Sequence, residues 1–521
     1  MVVLRNCFYA LPGNARGPGC WLVLAFVLLA GCAANSPQLT VPIAAPAHWF
    51  APLPLNNSAA TAAHTPLPVG NATGSLPHNG SITSLSQWWQ LQNDPLLVEL
   101  IDAAQAVSPS VITARANIQQ AQSARDVSAA ALLPTLDATG NFNRSKLPPV
   151  NRTTLPALVN SAQLGLQTSW EIDLFGQNEA SLNADRERFL GAEARWHEAR
   201  VVVAAEAATY YYNLRACEKQ LLVTSADARS RLQTSRLTAQ LTSAGFAAPA
   251  TAGLARASAA EGNSRMTQQR AECEVIVKAL SALTGLTEPD LRQKLNAAAP
   301  DIPQQGIADI SSVPAEVLSQ RPDVYSAARE LAAASFDVGS ARAQRYPRLS
   351  LNGSIAANKS RARGFTQSYS TWSIGPLALS VPLFDGGAAD ANIDAAKARY
   401  EEAAGKYRSS VRQAVREVEE ALVNLQSATD RQADTAVAAE GYSASFEGTQ
   451  ARYKAGLASL VELEDSRRVL LAAQSGLVSL AQERRSAWIA LYRALGGGWS
   501  TAAPYSTPMV FSIPQAFLPD W

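Results

Sequence analysis

The stretch Val411-Arg412-Gln413-Ala414-Val415-Arg416-Glu417-Val418-Glu419-Glu420-Ala421-Leu422-Val423-Asn424-Leu425 decides the fold. Val411, Val415, Val418, Leu422 and Leu425 recur at steps of four, three, four and three, the apolar seam of a helix packed lengthwise on another helix. The chain carries 29 prolines, yet none falls between Pro382 and Pro504, so nothing there must break a helix. The helical pattern runs from Ala388 to Leu495 and is interrupted only at Tyr453-Lys454-Ala455-Gly456-Leu457. From Gly387 to Ala455 is 68 steps (455 − 387). At about 1.5 Å per residue that is a rod of roughly 100 Å, longer than an ordinary globular domain needs.

Working outward, 521 residues with 47% hydrophobic content suffice for a large core, and a net charge of +1 gives no reason to expect nucleic acid as a partner. After the first thirty residues no run of 18 apolar residues occurs, so the mature chain lacks the pattern of a transmembrane helix. Membrane contact would fall to strands or to a lipid. Arg5 and Arg16 precede an apolar run from Trp21 to Ala30, which reads as a secretory signal. It ends in Leu29-Ala30-Gly31-Cys32, which resembles a bacterial lipobox. That resemblance implies a signal peptide over 1–31 and acylation of the Cys32 thiol. Ala33 in place of an aspartate favours the outer membrane by the same resemblance. Residues 32–84, rich in Pro, Ala, Asn, Ser and Thr, read as an extended tether. His48, His64 and His78 lie in it, and a strap offers no rigid cluster for a metal.

From Trp88 onward the chain repeats itself. Pro109 and Pro322 are 213 residues apart, as are Pro134 and Pro347; Phe175 and Phe384 are 209 apart; Gly245 and Gly456 are 211 apart. Four matches in one order at nearly one offset indicate an internal duplication. The repeats span 85–290 and 311–499, with a linker over 291–310 and a tail over 500–521. Each is predicted to hold a helix, a β-hairpin (135–174; 348–384) and a long helical hairpin (177–285; 388–495). In the strands Leu136, Ala138, Gly140 and Phe142 alternate with polar residues, as do Ala162, Leu164 and Leu166, and Leu349, Leu351 and Ile355. The last strand changes phase near Gly375-Pro376, which suggests a bulge or an edge position. Strands of about ten residues with one apolar and one polar face suit a transmembrane barrel. Four cannot close one, so several chains must pool their strands.

The doubled order, Pro382-Leu383-Phe384-Asp385-Gly386-Gly387, Arg452-Tyr453-Lys454-Ala455-Gly456, Ala494-Leu495-Gly496-Gly497-Gly498-Trp499, Gln320-Arg321-Pro322-Asp323 and the lipobox together resemble the outer-membrane factors of bacterial tripartite pumps, the TolC-like channel family in its lipoprotein branch. The likeness covers roughly Trp88 to Trp499. It implies a mainly α fold with β, duplicated, in which a homotrimer forms a 12-stranded transmembrane barrel on a periplasmic helical barrel. It implies an outer-membrane location, a periplasmic adaptor and an inner-membrane transporter of the proton-driven RND type as partners, and no cofactor. The same likeness fits an outlet for type I protein secretion. A periplasmic coiled-coil adaptor or structural lipoprotein is a rival of a different class, and it would have no barrel strands.

Cys217 lies 28 residues before Gly245 and Cys273 lies 28 after it, so an antiparallel hairpin turning at Gly245 brings the two thiols level. Export to an oxidising compartment favours a bridge; two buried free thiols are the alternative. No Gly-x-x-x-x-Gly-Lys, Gly-x-Ser-x-Gly or His-Glu-x-x-His is present, and His197 stands alone on its helix, so no catalytic constellation is expected. What remains is Glu462, Glu464 and Asp465 after the second turn. By the resemblance, Glu462 and Asp465 match acidic residues that ring the periplasmic mouth, with Arg452 and Tyr453, and less strongly Arg467 and Arg468, as candidate latch partners. Gly245 and Gly456 mark the turns where an adaptor would dock. Ser459-x-x-Glu462 also reads as a capping box, which gives Glu462 a purely structural alternative.

Overall fold

The computed structural model describes Ala51 and residues 88–90, 94–148, 157–297, 321–362 and 365–498. Cys32, the signal sequence, nearly all of the tether and the tail lie outside the described residues. The elements run α1 (Pro95–Val107), α2 (Pro109–Ala130), β1 (Thr135–Leu147), β2 (Ala157–Ile172), α3 (Gln177–Ser243), α4 (Pro249–Thr284), α5 (Glu288–Ala297), α6 (Pro322–Ala343), β3 (Arg348–Ala362), β4 (Phe365–Ser380), α7 (Ala388–Lys454) and α8 (Leu460–Ala494).

The duplication is visible element by element. Helices α2 and α6 both have 22 residues, α3 and α7 both have 67, and α4 and α8 have 36 and 35. The first repeat also holds α1 ahead of α2 and α5 after the hairpin. Helix α5 occupies the start of the stretch expected to be a linker. Thr287 starts it, Pro289 sits in its first turn, and Leu291 and Leu295 bury one face four residues apart.

Two compact units are present. The first holds residues 124–186 and 332–401, including the sheet. Its four strands are antiparallel in the order β1-β2-β3-β4, so β1 and β4 are edges. Register aligns the apolar residues in rows across the strands: Ala138 with Leu166, Ile355 and Trp372; Ile172 with Leu349 and Leu379. Between Leu351 and Gly353 the pairing to β4 slips by one, placing Gly375-Pro376 opposite Asn352. That bulge returns Ile374 and Trp372 to the face of Leu377 and Leu379, which accounts for the phase change in the sequence. The opposite face is polar, with Ser354 Oγ and Ser373 Oγ 2.9 Å apart and Asn358 Nδ2 donating to Thr371 Oγ1 at 3.0 Å. The apolar face is open: Phe142 is 74% exposed, Trp372 75% and Ile374 83%.

Both strand-to-helix turns in this unit use the same cap. Asp173 accepts from the backbone N–H groups of Gln177 and Glu179 at 2.8 and 2.7 Å, and Asp385 from Gly387 and Ala389 at 2.9 and 2.8 Å. These bonds, led by that from Ala389, hold the Asp385 carboxyl below its ordinary range.

The second unit holds residues 88–123, 187–331 and 402–498 and is built on helix packing. Val418, Leu422 and Leu425 are fully buried, with Val411 beside them, so the seam in the opening stretch is a core seam. Truncating Leu422 to alanine would cost about 2–5 kcal/mol by cavity formation. Tyr211, Leu214, Leu280 and Leu491 join this core, and Trp88 stacks on Trp488 at 4.8 Å. The Cys217 and Cys273 sulfurs are bonded, with Cα atoms 5.6 Å apart, tying α3 to α4. At the offset of 211 the second repeat has Ala428 and Arg484 there, so its hairpin has no such tie.

The Gln320-Arg321-Pro322-Asp323 segment also finds its role here. Buried Arg321 donates to both carboxylate oxygens of Asp323 at 3.0 and 2.8 Å, to Glu417 Oε2 at 2.8 Å and to the carbonyl of Ala494 at 2.8 Å. It therefore closes the C-terminus of α8 and holds α7 beside it. The closing glycines fit the same place. A Cβ on Gly497 would lie 2.4 Å from Val201 Cγ2, and its φ of 64° suits glycine.

Candidate functional site

Both long hairpins turn in the same way. The N–H of Phe246 donates to the carbonyl of Leu241 at 2.8 Å and that of Gly245 to Thr242 at 3.0 Å; Leu457 to Arg452 and Gly456 to Tyr453 repeat the pair at 2.8 and 3.0 Å. This is the Schellman arrangement, and it needs the positive φ of Gly245 (82°) and Gly456 (75°). The residues after the glycines, Phe246 and Leu457, are 81% and 70% exposed. The two turns thus present large apolar side chains to the surroundings.

The return helices begin differently. Pro249 is the first residue of α4 and has no side-chain cap before it. Helix α8 begins with a complete capping box: Ser459 Oγ accepts from the Glu462 N–H at 3.1 Å, and Glu462 Oε2 accepts from the Ser459 N–H at 2.8 Å. That backbone bond, followed by the charge of Arg452, holds the Glu462 carboxyl below its ordinary range. Arg452 Nη2 stands 3.8 Å from Glu462 and donates to the Leu457 carbonyl at 3.1 Å. Glu462 and Arg452 thereby brace the second turn. Asp465 is exposed and pairs with Arg468, one turn on, at 3.0 Å. Tyr453 reaches another helix, its hydroxyl lying 2.8 Å from Thr238 Oγ1 of α3.

A buried ionic network lies further in. Arg231 lies 14 residues before Gly245 and Ser258 13 after it, so the two are level on α3 and α4. Arg231 Nε donates to both oxygens of Asp227 at 3.0 and 2.9 Å, and its Nη1 to Ser258 Oγ at 2.6 Å and Glu464 Oε2 at 2.6 Å. Ser258 Oγ donates to the same Glu464 oxygen at 2.7 Å. Arg467 pairs with the other oxygen of Glu464, donates to Thr234 Oγ1 at 2.9 Å and lies over the Phe446 ring at 5.5 Å. Burial pulls the Arg467 guanidinium below its ordinary value. Two carboxylates and two guanidinia, each with several partners, therefore join α3, α4 and α8.

Sequence reasoning placed Glu464 in an acidic cluster but gave it no role, and it missed Asp227, Arg231 and Ser258. Asp227 with Arg231 at i,i+4 and Glu464 with Arg467 at i,i+3 resemble ordinary solvated pairs, and only the fold brings them together. Among the described residues no group of three or more His, Cys, Asp or Glu could hold a metal ion, and no single helix is long and apolar enough to cross a membrane.

A profile described as outer membrane efflux protein matches residues 100–286 and 313–497, once for each repeat. The chain belongs to the outer membrane efflux protein family. Such proteins are transport channels of the outer membrane, and this chain is an outer-membrane efflux channel component. It is similar to the solvent efflux pump outer membrane protein SrpC of Pseudomonas putida, 29% identical over 439 residues, 84% of this chain and 92% of that one. Among solved structures it is similar to the outer-membrane channel OprN, with a TM-score of 0.73 and 26% identity over 88% of this chain and 99% of that one. The fold also matches the Campylobacter jejuni CmeC outer membrane channel, with a TM-score of 0.77 and 23% identity over 91% and 96% of the two chains.

Proposed function

We propose that this protein is the passive outer duct of a three-part export pump. Three copies each contribute β1 to β4 to one 12-stranded barrel, and Cys32 carries the acyl chains that anchor each copy. The single observation that carries this reading is the sheet. It exposes an apolar face and has two edges without partners, a combination stable in lipid only if further copies close it. From Ile172 to Ala162 the apolar face runs ten residues. At a tilt near 45° that height is about 25 Å, matching a membrane-spanning band.

The turns at Gly245 and Gly456 are the docking points for a periplasmic adaptor, with Phe246 and Leu457 as the apolar contacts. The adaptor joins the duct to an inner-membrane transporter of the proton-driven type, which supplies the energy; the duct itself is not an enzyme. Asp465, with Glu462, lines the periplasmic mouth, and Arg452 and Tyr453 brace it. Opening separates α7 and α8 from α3, which requires the Tyr453–Thr238 contact and the Arg231–Glu464 pair to part. Small apolar toxicants are the expected cargo, by analogy with the solvents named for SrpC. Deleting the gene should raise intracellular retention of such compounds, and complementation should restore export; unchanged retention across a broad panel would overturn the reading.

A further inference from the structure

The strands carry an uneven charge pattern that the duct reading does not use. Their basic residues are Arg144 and Lys146 in β1 and Arg348, Lys359 and Arg361 in β3; their acids are Asp137 and Glu171. Arg348, Asp137 and Glu171 lie at the end of the sheet from which the long helices depart. The other four lie at the opposite end, beside the two hairpin loops, with no acid among them. Register puts all four on one face. Arg144 is opposite Asn160, which is opposite Arg361; Lys359 is opposite Ala162, which is opposite Phe142; Lys146 is opposite Leu158. That face is the apolar one. At the same height the other face carries Asn143, Ser161 and Ser360, without charge.

Two simpler explanations fail. Basic residues often guard edge strands against unwanted pairing, but β3 lies between β2 and β4, so Lys359 and Arg361 guard no edge. Charges that merely solvate loops would point to both faces. All four side chains are exposed, and among the described residues none has an ion-pair partner. They therefore stand as a cationic group at the margin of the apolar band, Lys359 level with its last row and the other three beyond it.

We infer that Arg144, Lys146, Lys359 and Arg361 form a binding surface for the phosphate groups of the acidic glycolipid in the outer leaflet. The inference rests on the reading of the sheet as membrane-spanning, which puts this end of it at the outer surface. A lipid phosphate is the anion held at that depth and on that face; a transported ion would meet the polar face instead. Arg144 and Arg361 flank β2, about 10 Å apart at the usual strand spacing, so their guanidinia can grip one phosphate from two sides or two neighbouring phosphates.

The test uses full-length protein extracted in mild detergent without heating. It is mixed with lipid A or with lipid A stripped of its phosphates, and bound lipid is counted by native mass spectrometry while planar-bilayer conductance is read on the same preparations. Wild type should hold the phosphorylated form at least tenfold better, a comparison that needs no variant. In R144Q/K146Q/K359Q/R361Q that preference should vanish, each lost charge lowering affinity about fivefold. R348Q, at the far end of the sheet, should leave it intact. Equal binding of the two lipids by conducting wild-type protein would overturn the inference alone. So would a conducting quadruple variant that still prefers the phosphorylated form. Wild-type protein that does not conduct would overturn the membrane-spanning reading and the inference with it.

Discussion

Glu464 accepts a hydrogen bond from Arg231 at 2.6 Å, across 233 residues of sequence, and so fastens the second helical hairpin to the first. Both side chains are largely buried, at 17% and 6% exposed, and each has further partners. A buried pair of this kind adds little over an apolar substitute, but breaking it leaves charge stranded.

Glu464→Ala should therefore lower stability by about 3–5 kcal/mol, because Arg231 would share Asp227 with Arg265 and Arg467 would lose its carboxylate partner. Asp465→Ala, one residue along and exposed, should change it by no more than about 0.5 kcal/mol. Thermal unfolding followed by helical circular dichroism separates the two. Equal shifts would mean that the network contributes nothing beyond a surface pair.

Arg321 offers a sharper chemical test. Its guanidinium serves Asp323, Glu417 and the Ala494 carbonyl at once. Arg321→Lys keeps the charge but loses the fork, so it should recover only a minor part of the roughly 3–5 kcal/mol lost in Arg321→Ala. Full recovery by lysine in the same unfolding assay would show that charge alone is required.

The Cys217–Cys273 bond closes a loop with a separation of 56 residues. Loop-closure arithmetic puts its contribution at about 4 kcal/mol, a ceiling because the enclosed segment is itself a helical hairpin. The double variant C217S/C273S should unfold at a lower denaturant midpoint, and peptide mapping without reductant should recover the two cysteines on one linked pair. Two free thiols at these positions would contradict the link.

His197 predicts a pH dependence. Burial, and then the positive charge of Arg200, lower its pKa from 6.5 to about 4. Between those values the unfolded chain binds a proton that the folded chain does not, so stability should fall as pH drops from 6.5 toward 4 and level off below. H197Q should flatten that part of the curve. Parallel unfolding midpoints for the two proteins across pH 7 to 4 would contradict the assignment.

These residues also show what the sequence could and could not reveal. Val411 through Leu425 announced the helical seam, Gly245 and Gly456 announced the turns, and the alternation from Leu136 to Phe142 announced an open apolar face, because each is a local periodic pattern. Helix α5 was missed although Thr287, Pro289, Leu291 and Leu295 form a readable start signal; its residues from Leu291 onward were read as the start of the linker. The Asp227–Arg231–Ser258–Glu464–Arg467 network was not legible, because its members are scattered over three helices and each looks like solvated surface. Ser459-x-x-Glu462 was legible as a capping box, and the geometry shows that box complete.

The central claim is that the four strands of each chain are pooled with those of other copies into a closed barrel. Single-channel conductance of the purified full-length protein in a planar bilayer tests it most directly. Discrete, uniform conductance steps are expected. Protein that retains its helical circular dichroism signal yet produces no steps would contradict the account.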